Sequence, residues 1–465
     1  MAEVQLIKAP GIATGMPEDK WYVPLNLLWI ASYLEMHGYT VEILDGQYLT
    51  LHEIKDRLHS RIVGISFDVL SVQSFNSIVR HAKNEKGCTI VAGGQYATPL
   101  ACQILEGNSS VDFVVRYDGE KSLLLLAKRI LRGYRIRLEE IPNLVWRDNG
   151  AIKLNVVEEV DLKTLPLPRR DSSGIDLEKY IASYSASKAA SNLPFYYKRP
   201  TNAYSIKGCP RRSAHNGCSF CSRIDTRVRC KSPEQAFEEF KYLEREFSID
   251  YISDFSDNWV IPRWLRQLSG IYERYGGLGS RLRVYADPRD INDETVLLLK
   301  ELGVDTVLLG IESGDREVLR RNGKNVEPAL IVKAVNLLAK QDIKISDAYV
   351  LGLIGETRAS LDKTVDLARI IRGSCTTEIS YWNILTPLPG SKAWNLLMSG
   401  DQSLAPSMST SYEFDTVLLE RKFISRFTEL GESGYEYLVT IREAMLDQST
   451  IPSREFIPAI NSDEV

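Results

Sequence analysis

Residues 203–221 read Ala203-Tyr204-Ser205-Ile206-Lys207-Gly208-Cys209-Pro210-Arg211-Arg212-Ser213-Ala214-His215-Asn216-Gly217-Cys218-Ser219-Phe220-Cys221. Ala203–Ile206 predicts a strand, and the glycine, proline and polar residues after it predict a loop at its carboxyl end. Three of the chain's seven cysteines fall within this loop. An odd count with such clustering points to a metal or redox site rather than a disulfide framework. Three thiolates from one short loop can ligate three corners of a [4Fe–4S] cubane and leave the fourth iron open, whereas most iron–sulfur electron carriers use four cysteines. On the cysteines alone a zinc site using Cys209, His215, Cys218 and Cys221 stays open. Cys88, Cys102, Cys230 and Cys375 read as small buried hydrophobes. Cys375, just before the last predicted strand, is a minor candidate for reaching the site.

Downstream of the loop, strands predicted at Tyr251–Phe255, Leu282–Ala286, Thr306–Leu309, Ile343–Val350 and Ile379–Leu385 alternate with helical patterns. The helices include Pro233–Glu246, Glu294–Leu302, Pro328–Lys340 and Arg358–Ile371. With Ala203–Ile206 this makes a partial (βα)6 barrel, whose sites form at the carboxyl ends of strands. Upstream, Val4–Ile7, Val41–Leu44, Ile62–Ser66, Thr89–Ala92 and Phe113–Arg116 alternate with helices such as Leu25–Met36 and Phe75–Ala82. That rhythm predicts a doubly wound parallel sheet, with the turns Pro10-Gly11, Gly93-Gly94 and Asp118-Gly119 at its ligand-binding end. Pro142, Pro166, Pro168 and the turn signal Asp148-Asn149-Gly150 mark a connector with a small hairpin. The expected chain is α/β: a Rossmann-like domain over 1–140, a connector over 141–200, the barrel over 201–395 and an α-rich region over 396–465, helical near Leu430–Leu446.

A net charge of −4 over 465 residues gives no broad attraction for nucleic acid or an anionic bilayer. No apolar run is long enough to span a membrane and no signal peptide opens the chain. A cytoplasmic protein with neither nucleic-acid nor membrane partners is expected.

The cysteine loop, the following Arg229-x-Lys231-Ser232-Pro233 and the later blocks resemble the radical S-adenosylmethionine (SAM) superfamily. The order of blocks over most of residues 1–395 resembles its subgroup with an N-terminal cobalamin-binding domain. The resemblance implies a [4Fe–4S] cluster on Cys209, Cys218 and Cys221. It implies SAM contacts from Phe220 at the adenine and from Asp257, in Phe255-Ser256-Asp257-Asn258-Trp259, near the methionine amino group. Arg289, in Asp287-Pro288-Arg289-Asp290, would touch the nucleoside or carboxylate. Glu312 and Ser313, in Gly310-Ile311-Glu312-Ser313, would face the cofactor, and Gly355, in Gly352-Leu353-Ile354-Gly355-Glu356-Thr357, would pack on the adenine. Thr386-Pro387-Leu388-Pro389-Gly390-Ser391 resembles the turn that ends the family's barrel.

In the first domain, Pro24–Trp29, Tyr33-Leu34 and Gly38-Tyr39 resemble the subgroup's first helix and turn. Gly93-Gly94-Gln95-Tyr96-Ala97-Thr98 and Arg116-Tyr117-Asp118-Gly119-Glu120 resemble its glycine turns. Cobalamin contacts are implied for Ser66, Ser71, Gly93, Gly94, Tyr96 and Tyr117, with Asp68 nearby. No Asp-x-His-x-x-Gly is present, so no histidine ligand to the cobalt is expected. The chain departs from the family's usual cysteine spacing: eight residues separate Cys209 from Cys218 instead of three, which brings Arg211, Arg212 and His215 toward the cluster.

The resemblance implies a cobalamin-dependent methyltransferase acting on an unactivated sp3 carbon of a protein side chain or natural-product intermediate. Electrons would come from a reductant such as flavodoxin or ferredoxin. The rival is a non-methylating dehydratase, cyclase or rearrangement enzyme. Tyr349, Tyr381 and Trp382 are pocket candidates, although aromatics on barrel strands commonly belong to the core.

Overall fold

The computed structural model describes residues 1–11, 21–190, 197–212, 217–225, 227–400 and 411–446. Its first sheet opens with five parallel strands, Val4–Lys8 (β1), Val41–Asp45 (β2), Ile62–Ser66 (β3), Thr89–Gly93 (β4) and Phe113–Val115 (β5), ordered β2-β1-β3-β4-β5. Val4, Ile7, Ile62, Ile90 and Val114 are wholly buried, as a parallel sheet covered on both faces requires. The helix Leu25–Met36 buries Leu27, Leu28, Trp29, Ala31 and Leu34, so it is apolar nearly all round. Such a helix belongs between two layers: one side packs on the first sheet, while Trp29 turns to Tyr204, with ring centroids 6.0 Å apart.

The predicted hairpin does not stand in a separate connector. Leu144–Asp148 (β6) and Ala151–Leu154 (β7) add to β5 as antiparallel strands, because Leu144, Val145 and Trp146 bury against the sheet. Asn149 (φ 47°) and Gly150 (φ 86°) make its turn, both left-handed as a tight hairpin requires. The connector then covers the opposite edge, where the Ile43 N–H donates to Ser173 O at 2.8 Å. A helix the sequence did not announce, Leu177–Ala190, follows, and its Tyr180 hydroxyl donates to Asp45.

The second sheet holds six parallel strands, Pro200–Ala203 (β8), Tyr251–Asp254 (β11), Arg281–Ala286 (β12), Val304–Glu312 (β13), Lys344–Leu351 (β14) and Thr377–Ile384 (β15), in sequence order and open between β8 and β15. This is the expected partial barrel. Its first strand ends three residues early, because the Ser205 N–H and hydroxyl turn to Asp254 and the Ile206 N–H to Ser256 Oγ. Ile206–Lys207 (β9) then pairs antiparallel with Arg229–Cys230 (β10). That two-residue ribbon closes the base of the cysteine loop. The C-terminal helices Thr416–Phe427 and Gly434–Leu446 pack together, the second against β15.

Tyr349 and Trp382 stack with centroids 4.1 Å apart and are fully buried, so they are core and not pocket. Cys375 lies at the amino end of β15, its Sγ 3.5 Å from Ile343 O, at the barrel end opposite the cysteine loop.

Glu356 ties the loop after β14. It is wholly buried, its carboxylate accepts from the Gly352 N–H, and its Oε1 has no partner. Burial pushes this carboxyl from 4.5 up to about 8. A raised folded-state value means that stability is greatest in acid and declines as pH rises from 4.5 toward about 8. Denaturant titrations of Glu356→Gln should therefore show a smaller loss of stability between about pH 6 and about pH 8 than the unaltered chain.

Candidate active site between the barrel and the first domain

Asp118, after β5, grips both stems of the cysteine loop. Its carboxylate accepts from Lys207 on β9 at 2.7 Å and from Arg229 on β10 at 2.5 Å. Burial alone would raise this carboxyl, but the combined pull of Lys207 and Arg229 holds it below its ordinary value. Asp257, after β11, accepts from the Gly208 N–H at 2.9 Å and the Tyr204 hydroxyl at 3.1 Å. Gly208 has φ +85°, and a Cβ there would stand 2.2 Å from Arg227 O, so only glycine admits the ribbon. Farther along, Asn322 O accepts from the Ser219 N–H and Asn322 Oδ1 from the Ser219 hydroxyl, while Ser219 O accepts from the Ala393 N–H. The loop is thus fixed by side chains from both domains.

Cys209, Cys218 and Cys221 are each partly exposed. Burial pushes the Cys218 thiol up to about 12; Lys324 pulls it down, while Glu312, Cys221 and Cys209 push it further up. The three sulfurs therefore share one electrostatic neighbourhood. Arg212 donates to Cys221 Sγ at 3.1 Å, whereas Arg211 forks onto Asp290 at 2.8 and 2.6 Å. The long spacing thus delivers one guanidinium to a cysteine and the other to the barrel rim. Among the described residues, no three His, Cys, Asp or Glu side chains gather closely enough to hold a single metal ion. His215, the fourth candidate zinc ligand, lies outside the described residues.

The other predicted SAM-site residues fall into two groups. Glu312 takes φ +68° at a register shift in β13, and its carboxylate accepts from Lys324 at 2.9 Å. Lys324 also bonds Gly310 O and lies 3.9 Å from Asp287, which Arg289 grips through two nitrogens at 2.7 Å. Burial opposes ionisation of Asp287, yet Arg289, Lys324 and Arg211 hold it at about 2. Glu312, Arg289 and Asp257 thus stand at the carboxyl rim with Cys218. Phe220 packs against the apolar cluster that includes Leu353 and Leu385. Ser313 is turned away: it is wholly buried, with its hydroxyl 3.1 Å from Thr364 Oγ1. Gly355 (φ +75°) backs onto Arg321, whose Nη1 a Cβ would meet at 2.4 Å.

A cavity of about 690 Å³ opens at the carboxyl ends of the first sheet. Ser66, Ser71, Gly93, Gly94, Tyr96 and Tyr117 all border it. Gly94 (φ +101°) admits no side chain, since a Cβ would stand 2.8 Å from Ser66 Oγ. The Ser71 hydroxyl is taken up by Asp68, and the Tyr96 hydroxyl donates to Tyr412 O. The far wall is Ser222–Asp225, directly after Cys221, with Leu388 and Pro389 closing one side. Among the described residues, no histidine borders the cavity.

Residues 204–368 match the radical SAM superfamily and residues 21–127 the B12-binding domain. The chain is a radical SAM enzyme with a B12-binding domain. Over 86% of its length this enzyme is 24% identical to an uncharacterized methyltransferase, PH0819, of Pyrococcus horikoshii, covering 84% of that protein. It is 22% identical to the anaerobic magnesium-protoporphyrin IX monomethyl ester cyclase of Rubrivivax gelatinosus over 79% of this chain and 64% of the cyclase. Its fold matches that of the radical SAM methyltransferase TsrM of Kitasatospora setae, solved with cobalamin and a [4Fe–4S] cluster, at TM-score 0.69 and 18% identity over 86% of this chain and 79% of TsrM.

The residues present fit both groups. Cys218 ionises poorly on its own, and ligation to iron supplies the positive charge its thiolate needs. A cubane takes each cysteine on a separate iron, so the sulfurs have no need to converge on one atom. The side-chain-free surface at Gly93 and Gly94 suits close approach of a bulky corrinoid. Burial pushes the Glu120 carboxyl up and its Oε2 is unpartnered, so it offers the cavity a hydrogen-bonding group.

Sequence reasoning missed Asp118 as the anchor, Lys207 as its partner, and Asn322 and Lys324 as rim residues. Asp118 stood in a quoted turn, but its partners lie 89 and 111 residues away.

In Asp118→Asn the two buried cations lose their shared counter-charge. Urea unfolding should report a loss of about 3 kcal/mol, accompanied by lower iron retention. The two cofactor sites should also separate by mutation. Cys218→Ala should lose cluster iron and keep cobalamin, while Gly94→Val should do the reverse, read by iron assay and cobalamin absorbance on one preparation.

Proposed function

We propose that this enzyme transfers a methyl group from cobalamin to an unactivated sp3 carbon, with SAM serving as both methyl source and radical source. The observation that carries this reading is a shared wall: Ser222–Asp225, which line the cavity of the B12-binding domain, follow directly on Cys221. The methyl-donor and radical sites are thereby adjacent with no intervening layer. When bound, the cluster with SAM supplies a hydrogen-abstracting 5′-deoxyadenosyl radical, and the corrinoid supplies a transferable methyl group.

The chain's own residues bind and exclude. Glu312, Lys324, Asp287 and Arg289 form a charged rim suited to the polar methionine end of SAM, and Phe220 offers its ring to the adenine. Asp257 acts through the loop, holding Gly208 and so Cys209. Tyr22, Tyr204 and Phe255 border the cavity on the barrel side and keep water from the reacting carbon. A small cytoplasmic electron carrier such as flavodoxin or ferredoxin would supply the electrons. Among the described residues, no helix is long and apolar enough to cross a membrane.

The match to a cyclase supports a second reading, radical chemistry without methyl transfer. S-adenosylhomocysteine separates the two. Anaerobic turnover of cobalamin-loaded enzyme should release S-adenosylhomocysteine and 5′-deoxyadenosine in about equal amounts, the former depending on cobalamin loading. 5′-Deoxyadenosine alone would overturn methyl transfer and favour the second reading. An iron-loaded enzyme that takes up no cobalamin would also overturn methyl transfer.

A further inference from the structure

Arg283 lies in the middle of β12 and is 2% exposed. Its Nη2 donates to the Tyr381 hydroxyl on β15 at 2.9 Å and lies 3.3 Å from Ser346 Oγ on β14. In the sheet β12 is flanked by β11 and β13. Reaching β14 and β15 therefore means crossing the hollow of the curved sheet, so the guanidinium sits inside the barrel.

No acid among the described residues meets the charge at contact distance, and Glu378 on β15 acts on it only from farther off. Among the described residues, no carboxylate comes within 4.0 Å of the guanidinium, and its Nε has no hydrogen-bond partner. A buried charge with no anion in contact is disfavoured. The other buried arginine, Arg170, has Glu239 at 3.4 Å.

Arg283 does not itself border the cavity, but it lies on a row of side chains that ends there. Asn202, Ser253 and Arg283 are in register across β8, β11 and β12, so their side chains share the concave face. Asn202 borders the cavity. Arg283 is two strand spacings farther in, about 10 Å. Ser253 Oγ, between them, is buried and has no hydrogen-bond partner. Above this row Tyr22 and Phe255, both bordering the cavity, meet edge to face at 4.4 Å, and Phe255 meets Tyr285 at 5.6 Å.

We propose that the barrel interior holds a subsite for an anionic group of the substrate, a carboxylate or a phosphate, bound by Arg283 with Tyr381. This deepens the proposed function and rests on it. The substrate is a small anionic molecule that enters anion-first, with its apolar part against Tyr22 and Phe255 and its reacting carbon facing the cavity. The guanidinium fork matches either anion through two parallel hydrogen bonds.

The test uses the full chain, cluster-reconstituted and cobalamin-loaded, melted in acetate, in inorganic phosphate and in chloride at equal ionic strength. Acetate or phosphate should raise the melting temperature saturably above the chloride value. The anion that does so identifies the group as carboxylate or phosphate. Arg283→Met should raise the half-saturating concentration at least about tenfold. Where that variant fails to fold, Arg283→Lys keeps the cation but not the fork, and it should shift half-saturation severalfold. No saturable response to either anion in the unaltered enzyme overturns the subsite, as does an equal response in both the enzyme and its variant. Cobalamin content and S-adenosylhomocysteine release, measured on the same preparations, judge methyl transfer separately. Their failure beside an intact anion response sinks that reading alone.

Discussion

The carboxylate of Asp118 is the interaction on which the site depends. A loop with little regular structure must present three cysteines at fixed positions, and its own backbone cannot fix them. Asp118 reaches from the first domain to Lys207 before the loop and Arg229 after it, and both cations are largely out of water. Removing either cation or the acid leaves a buried charge uncompensated. One acid thus joins the two domains, closes the loop and sets one side of the cavity.

Around that clasp, charges are arranged in pairs that neutralise one another. Lys231 with Glu239, Arg211 with Asp290, and Lys324 with Glu312 each place a cation against an acid near the loop or rim. The left-handed backbone at Glu312 is sustained by its bond to Lys324 and by the absence of a side chain at Gly310, where a Cβ would stand 2.5 Å from Glu312 Oε1. Such pairing fixes geometry more than it adds stability. Arg283 breaks the pattern, since among the described residues no acid stands in contact with it.

What could be read from the sequence was what is local. Pro328–Lys340 and Leu25–Met36 match their predicted bounds because apolar periodicity and a proline start declare them. The cavity residues Gly93 and Gly94 were legible because tight turns after strands require glycine. What the sequence hid depends on distant partners. The early end of β8 comes from Ser205 meeting Asp254, and the hairpin's place in the first sheet from Trp146 packing there. Ser313 follows a motif residue that faces the rim, yet its own hydroxyl turns to Thr364. Tyr381 and Trp382 are neighbours on one strand, and alternation sends one into the barrel and the other into the core.

The ribbon of β9 and β10 carries a consequence for how the molecule holds together. It is only two residues long on each side, far too short to persist by itself. Its two strands are held by Lys207 and Arg229, and the acid that holds both, Asp118, belongs to the other domain. The stems of the cysteine loop are therefore part of the interface between the two halves. Whatever loosens the contact between the domains loosens the ends of the loop that carries the cysteines, so interface and metal site stand or fall together.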